Sequence, residues 1–392
     1  MRSDRSVKLA SPVLIVGAGI GGLAAAIALR RKKIPVHVIE QTPSVKEVGA
    51  GITVWSNAVA AIKSLGLFEE FSKIACPATS TKIFDSSGLQ LSGVDLSRLE
   101  SRFGSLSYTV HRAELQNLLL KALGEEHVEL GTTCKEVLST DTPVKIHTTD
   151  SRTIDGCLLI GADGVHSVVR RTVVGDYTNS FCGYHCWRGI TRNDNSAVKD
   201  NESIFVIGNG SQFGMFPLTR GRVYWFATKN SHLPRNALGT DSKSDLLEIF
   251  AKWPSFVGKS ISSTPSSAIV ANDIYDRDPN PKWGERCVTL LGDAAHVSTP
   301  NLGQGACMAL EDAVVLAHCL QKFGLGENAL RQYESMRYRR TKAIVLESRL
   351  MGWSFQLEDG FFSKIRGWAM RTSPRFLWQR NLERHLDFKV PD

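Results

Sequence analysis

The stretch Val13-Leu14-Ile15-Val16-Gly17-Ala18-Gly19-Ile20-Gly21-Gly22, continued by an alanine-rich run to Val36-His37-Val38-Ile39-Glu40, reads as strand, glycine turn, helix and strand. Gly17, Gly19 and Gly22 fit the spacing G-x-G-x-x-G, with Gly21 inside it, and Glu40 follows about 20 residues on. The first glycine makes the turn and the second lets the backbone approach a pyrophosphate. The third lets helix and strand pack closely. The helix start offers free N–H groups and partial positive charge to phosphates, and Glu40 offers a carboxylate to an adenosine ribose. Together these features predict a dinucleotide fold. The motif alone leaves NAD and FAD open.

The chain has 392 residues, more than one core usually supports, so two domains are expected. Its 42% hydrophobic and 22% charged content is that of a soluble globular protein. A net charge of +8 suits a polyanionic cofactor or an anionic membrane face. No basic run interleaved with stacking aromatics marks the body of the chain, so nucleic acid is not an expected partner. The eight cysteines include no C-x-x-C. Cys182 and Cys186 flank His185, but a second ligand pair for zinc is not evident, so no metal site is expected. The cysteines read as reduced thiols in a cytoplasmic protein. Arg2, Arg5 and Lys8 before an apolar run resemble a secretion signal, yet glycines at dinucleotide spacing interrupt that run. No apolar stretch of ~20 residues suits a membrane-spanning helix.

Further along, a helix is predicted from about Gly21 to Lys32, ending in cations suited to its C-terminal dipole. Gly49-Ala50-Gly51-Ile52-Thr53 suggests a backbone passing close to a neighbour. Asn57 to Leu65 has helical spacing, and another helix opens at His111-Arg112-Ala113-Glu114-Leu115. From Cys76 to Leu99 the pattern shifts to short alternating strands. His127–Leu130, Lys145–Thr148 and Cys157–Ile160 read as strands returning to the nucleotide domain. The last runs into Gly161-Ala162-Asp163-Gly164, which fits either a ligand loop at the sheet's carboxyl edge or a plain Asp-Gly turn. Residues 175–275 depart again. Ile204–Gly208, Gly214–Pro217 and Val223–Thr228 read as strands, Thr219-Arg220-Gly221-Arg222 as a turn, and Ser244–Trp253 as a helix. A buried strand over Arg286–Leu291 then leads into Gly292-Asp293-Ala294-Ala295-His296 and Pro300 through Cys307, where a second glycine-rich helix start begins. Glu311 and Asp312 near that start suit its dipole. Two such elements imply a ligand long enough to touch both.

Gly17–Gly22 with Glu40, Gly161–Gly164, and Gly292-Asp293 with Pro300–Gly305 stand in an order that resembles the single-component flavin monooxygenases of the para-hydroxybenzoate-hydroxylase-like family. The resemblance runs over nearly the whole chain. Gly49–Ile52, Arg112–Leu115 and Gly303–Cys307 are similar to urate-hydroxylase-like and zeaxanthin-epoxidase-like members. It implies an α/β fold: a Rossmann-like FAD-binding domain (1–75, 109–174, 276–325), an inserted, mostly antiparallel substrate sheet (76–108, 175–275) and C-terminal helices (326–392).

For the site, the resemblance implies that Gly17, Gly19, Gly21 and Gly22 approach the FAD pyrophosphate. Glu40 would hold the ribose with Gln41 beside it, Thr53 would meet the cofactor, and Arg112 would pair with phosphate. An exposed helix-start cation is the plain alternative for Arg112. Val137 would contact adenine, Asp163 would lie near FAD and the pyridine nucleotide, and Asp293 would bond ribityl or ribose hydroxyls. Pro300 would shape the pocket, although an ordinary loop proline is equally compatible. Gly303, Gln304, Gly305, Ala306 and Cys307 would lie along the flavin ring. Helix-start N–H groups there would stabilise the anionic reduced flavin.

The implied reaction is reduction of FAD by NADPH or NADH, oxygen addition to give a C4a-hydroperoxide, and transfer of one oxygen atom to a small planar substrate. No side chain is assigned as an indispensable catalyst. His296 reads as structural rather than as a base. Arg188, Tyr224 and Phe226 are candidate substrate contacts, grouped with Trp187 and Trp225 as aromatics lining a flat pocket or forming core. Gln212 stands where urate hydroxylases carry a substrate-facing arginine, which leaves the substrate open.

Rival readings are an isoprenoid epoxidase, a flavin reductase or dehydrogenase, and a flavoprotein without turnover. The segment Phe361–Arg380 holds Lys364, Arg366, Arg371, Arg375 and Arg380, no acid, and Phe361, Phe362, Trp368, Phe376 and Trp378. It suits either a membrane face or packing at the domain interface. Monomer and homodimer both remain open.

Overall fold

The strand Val13–Val16 is the centre of a five-stranded parallel sheet with the order Val288–Leu290, Leu158–Gly161, Val13–Val16, Val36–Glu40, Val128–Leu130. The structure is a computed structural model that describes residues 11–44, 50–175, 179–192, 198–234 and 243–391, without the side chains of 375–379. Arg2, Arg5, Lys8 and Gly49, and the side chains of Arg375, Phe376 and Trp378, therefore lie outside the described residues.

Val13–Val16 and Leu158–Gly161 are buried at every position, which is why both read as continuous apolar runs. Strand order reverses beside Val13–Val16, and in open α/β sheets ligands bind outside the carboxyl ends of the strands at such a point. The helix Ile20–Arg31 leaves that point and packs against the helix Gly305–Phe323. A Cβ at Gly21 would lie 2.7 Å from Leu291 and 3.1 Å from the Ala309 side chain. The two glycine-rich helix starts are therefore neighbours, although nearly 300 residues apart in sequence.

One strand went elsewhere than expected. Val144–Thr148 joins Cys134–Ser139 and Thr153–Gly156 in a separate antiparallel sheet, not the nucleotide sheet. Its burial alternates, with Val144, Ile146 and Thr148 buried and Lys145 exposed, as in a strand covered on one face. Val137 pairs with Ile146 in that small sheet.

The second large sheet has seven strands in the order Val270–Asp276, Ser180–Arg192, Arg222–Asn230, Ser211–Leu218, Glu202–Ile207, Ser80–Asp85, Gln90–Asp95. Only Glu202–Ile207 and Ser80–Asp85 pair in parallel. The turn at Arg220-Gly221 has both residues at positive φ, 64° each, as a tight hairpin requires.

Side chains alternate across this sheet. Trp187, Phe213, Met215, Val223, Trp225 and Ala227 bury one face against the helices Lys243–Ile249 and Ser255–Ser263. Trp187 and Trp225 are thus core, not pocket. The expected helix Ser244–Trp253 is shorter, Lys243–Ile249, and a second helix not expected from the sequence, Ser255–Ser263, follows with Pro254 at its N-cap. The opposite face carries Tyr184, Cys186, Phe216, Tyr224 and Phe226. The chain closes with helices Glu327–Phe355, Gly360–Thr372 and Arg375–Leu386. Among the described residues, no helix is long and apolar enough to cross a membrane.

Candidate active site

The first glycine turn is set by steric contacts. Gly17 has φ +105°, and a Cβ there would overlap the Ala162 carbonyl, while a Cβ at Gly22 would overlap the Gly17 carbonyl. At Gly19 a Cβ would meet nothing within 4 Å. Packing therefore explains Gly17, Gly21 and Gly22, whereas Gly19 borders open space beside an uncapped helix start. That is the form of a phosphate cradle. At the tip of the next strand, the Glu40 carboxylate accepts from the Ala18 N–H (2.8 Å), the Thr42 N–H (2.9 Å) and the Thr42 hydroxyl (3.0 Å). Gln41 is exposed beside it. Gln116 donates to the Ala18 carbonyl (2.7 Å). Sequence reasoning missed Gln116 and Thr42. The one signal for Gln116 was its place a helical turn beyond Arg112.

Gly292 sits at φ +62° and aims Asp293 toward the second glycine-rich start. A Cβ at Gly305 would lie 3.8 Å from Asp293 Oδ1. Asp293 is reached by solvent yet surrounded by protein on most sides, as a group on a cleft floor must be. Burial holds its carboxyl above the usual range, opposed by the charges of His296, Arg112 and Arg277. Arg112, exposed at the start of its helix, therefore acts electrostatically on the same cleft.

Pro300 is exposed and opens the turn Pro300–Leu302. Gly303 follows at φ +63°, with the Trp55 indole nitrogen 3.2 Å from where a Cβ would stand and the Thr53 Cβ at 3.9 Å. Trp55 donates to the Leu302 carbonyl (3.1 Å). The Gln304 side chain turns inward and accepts from Asn57 (3.0 Å). The Cys307 thiol donates to the Thr53 carbonyl (3.5 Å), and burial pushes its pKa up to about 12. Gly303, Gly305 and Ala306 thus offer backbone to the cleft, while the Gln304 and Cys307 side chains face away. Asp163 is likewise engaged at home. Its carboxylate accepts from the Ser167 hydroxyl and from the N–H groups of Val168 (2.7 Å) and Val169 (3.2 Å), capping the helix Val168–Val174. Its side chain follows the turn reading, and the Ala162–Asp163 backbone supports Gly17.

Glu311 and Asp312 correct another expectation. They lie past the first turn and are fully buried. Glu311 accepts from Asn57 (2.6 Å) and pairs with Arg337 (2.7 Å) and Arg340 (2.8 Å). Asp312 pairs with Arg337 and His296 (2.6 Å each) and accepts from the Gly292 N–H (3.1 Å). This network, not the helix dipole, accounts for both acids. It grips the backbone beside Asp293 and, through Asn57, the Gln304 loop. His296 is a buried member of it. Arg337, Arg340, Trp55 and Asn57 gave no sequence signal, because their partners are remote.

The open face of the seven-stranded sheet meets this cleft at two points. The Tyr224 ring lies against Gly51, where a Cβ would come within 2.6 Å of it. The Tyr184 hydroxyl accepts from Asn301 (3.1 Å). Arg188 and Phe226 stand between, paired across neighbouring strands. Arg188 donates to Asn272 (3.1 Å), and its charge also bears on the Tyr224 hydroxyl. Burial raises the Tyr224 pKa, with Arg188 opposing, so Tyr224 stays a neutral phenol. Gln212 is buried farther along, beside Thr228, and its Nε2 has no hydrogen-bond partner. Among the described residues, no cluster suited to a metal ion occurs.

Residues 10–348 match the family described as FAD binding domain. The aurachin C monooxygenase/isomerase of Stigmatella aurantiaca is 34% identical over 383 residues, 97% of this chain and 99% of that protein. The 3-amino-4-hydroxybenzoate 2-monooxygenase of Streptomyces cremeus is 35% identical over 376 residues, 94% of this chain and 93% of its own length. The crystal structure of Klebsiella pneumoniae HpxO with FAD and uric acid superposes with a TM-score of 0.89 at 30% identity, covering 96% of each chain.

Proposed function

The chain belongs to the FAD-binding domain family of flavin-dependent monooxygenases, and from that membership we propose that it hydroxylates a small planar aromatic or heteroaromatic compound using NADPH or NADH and O2. In this reading residues 1–75, 109–174 and 276–325 bind FAD, 76–108 and 175–275 bind substrate, and 326–392 form the supporting helices.

The residues fit the cofactor. Gly19 and the Ile20 helix start would take the pyrophosphate, with Arg112 adding charge. Glu40 would take the ribose, and Asp293 hydroxyls of the linker. The N–H groups at Gly305 and Ala306 would face the ring and favour negative charge on it. FAD, when bound, supplies the redox and oxygen-activating chemistry. The chain's own tasks are to hold the substrate flat, bind its polar edge and keep water out.

The observation that carries the substrate reading is the bracket of Tyr224 on Gly51 and Tyr184 on Asn301. It ties the sheet face that carries Arg188 and Phe226 to Gly51 and to the Pro300–Leu302 turn, and in this reading that face covers the substrate. Phe226 offers an apolar surface, with Phe216 and Phe205 ring centroids 6.1 and 6.0 Å away. Arg188 and the neutral Tyr224 hydroxyl can bind a carboxylate or phenolate. Gln212 supplies no positive charge, which argues against urate as the preferred substrate.

The test is a screen of planar acids and phenols for ligand-stimulated NAD(P)H oxidation by the FAD-loaded protein. Stimulation is expected from anionic aromatics, and Arg188→Met should raise their KM at least about tenfold with a smaller change in kcat. A response to long polyenes alone would favour the epoxidase, and no NAD(P)H oxidation with any ligand, despite bound FAD, a flavoprotein without turnover.

A further inference from the structure

The two helices that follow the FAD-binding region expose apolar surface the proposed chemistry does not use. On Glu327–Phe355, Met336, Leu346, Leu350 and Trp353 share an outward face; Leu350 is 64% and Trp353 66% exposed. On Gly360–Thr372, Phe361, Phe362, Ile365 and Trp368 do the same, with Phe361 at 68% and Trp368 at 67%. Soluble monomers rarely leave so many large apolar side chains together in water. The helices are locked into one unit. Arg366 donates to the carbonyls of Ser354 (3.1 Å) and Phe355 (2.9 Å) at the end of the first helix. Its other nitrogen reaches the Gly208 carbonyl (2.9 Å) in the substrate sheet.

The exposed charged residues of these outward faces are of one sign, and the half-buried Glu347 beside them pairs with Arg384 (2.6 Å) and His385 (2.8 Å). Arg339 and Lys342 flank the apolar row on the first helix, and Lys364 and Arg371 on the second; all four are exposed. Among the described residues of these faces there is no exposed acid. The acids of the connecting turn are engaged, Asp359 capping the second helix and Glu358 lying 3.6 Å from Lys229. This pattern selects the occupant. A two-fold contact with a second copy would bring cations against the same cations with no acid to meet them. An anionic lipid surface satisfies both halves, since tryptophan and phenylalanine seat at the headgroup boundary and lysine and arginine meet lipid charge.

We propose that this helical pair docks the enzyme on the surface of an anionic phospholipid membrane, lying on the bilayer without spanning it. The docking unit is fastened to the substrate sheet. Besides the Arg366 bond, Gln356 donates to Thr228 (3.0 Å), and the Gly210 N–H donates to the Leu357 carbonyl (3.0 Å). Docking therefore ties the seven-stranded sheet to the bilayer surface through this helical pair.

The experiment is co-flotation of the full-length, FAD-loaded protein with vesicles of phosphatidylcholine alone or with about a third phosphatidylglycerol. Binding at least about tenfold stronger to the anionic vesicles, weakened by added salt and accompanied by a blue shift of tryptophan emission, is expected. Trp353→Ser with Trp368→Ser should abolish it while flavin absorbance and NAD(P)H oxidation stay unchanged. Lys364→Glu with Arg371→Glu should remove the preference for anionic lipid. Absence of vesicle binding would overturn the proposal. So would a homodimer by light scattering that the double tryptophan variant converts to monomer, since the face would then be a contact between copies.

Discussion

The two glycine-rich turns that face the same cleft are built on opposite principles. The turn at Gly17–Gly22 is set by backbone contacts: Gly22 is pressed against the Gly17 carbonyl and Gly17 against the Ala162 carbonyl, and Glu40 is fixed by the N–H groups of Ala18 and Thr42. The turn at Gly303–Gly305 is held from outside. Trp55 and Asn57 grip it from one segment, and a buried set of charges reaches it from the helix Glu327–Phe355. A ligand contact made by backbone alone can thus rest on backbone packing or on a scaffold of side chains. Substitutions separate the two cases.

The largest effect belongs to the remote scaffold. Arg337→Met leaves the buried Glu311 with Arg340 and Asp312 with His296 as their remaining ion-pair partners, so a loss of about 3–5 kcal/mol in denaturant unfolding is expected, with weaker flavin retention. A loss below about 1 kcal/mol would show that the second turn does not depend on this network.

Acid reaches the same network next. Burial alone would raise the Asp312 pKa, but the charges of His296 and Arg337 outweigh it and bring it to about 2 from 3.8. A carboxyl depressed in the folded state stabilises above its unfolded pKa, and that contribution fades as pH falls through the folded value. About 2 kcal/mol of stability should therefore vanish between roughly pH 4 and pH 2. Stability that is flat across this window would remove the ion pairs from the account.

Smaller still is Trp55→Phe, which deletes the bond to the Leu302 carbonyl. It should cost about 1 kcal/mol by thermal or chemical unfolding and loosen flavin at the ring end. The smallest stability change belongs to Gly19→Ala, whose Cβ points into open space in an extended backbone. Unfolding should move by less than about 0.5 kcal/mol while flavin occupancy falls. Full occupancy in Gly19→Ala would mean that this space is not the phosphate cradle.

The same contrast explains what the sequence made legible. Gly17, Gly22 and Glu40 stand within about 30 residues of one another, so their spacing exposed the nucleotide fold, although the Ala162 carbonyl that presses on Gly17 is remote in sequence. Glu311 and Asp312 were misread as dipole partners because Arg337 and Arg340 lie in a polar-looking helix whose inward face only the fold reveals. Trp187 and Trp225 were grouped with Arg188, Tyr224 and Phe226, although strict alternation already separates neighbours on a strand. Lys145–Thr148 was assigned to the wrong sheet despite an alternating burial pattern that parallel core strands lack. The inward turn of Asp163, Gln304 and Cys307 had no local signal, since each depends on a hydrogen bond that the folded chain supplies.

The central claim is that the two turns hold one flavin so that oxygen reaches a ring seated under Arg188, Tyr224 and Phe226. Turnover under oxygen-18 gas tests it most directly, with FAD-loaded protein, NADPH or NADH, and the planar aromatic that stimulates oxidation most. The account predicts a hydroxylated product carrying a single oxygen-18 atom from the gas. Unlabelled ligand recovered intact, with all consumed oxygen appearing as hydrogen peroxide for every stimulating ligand, would contradict it.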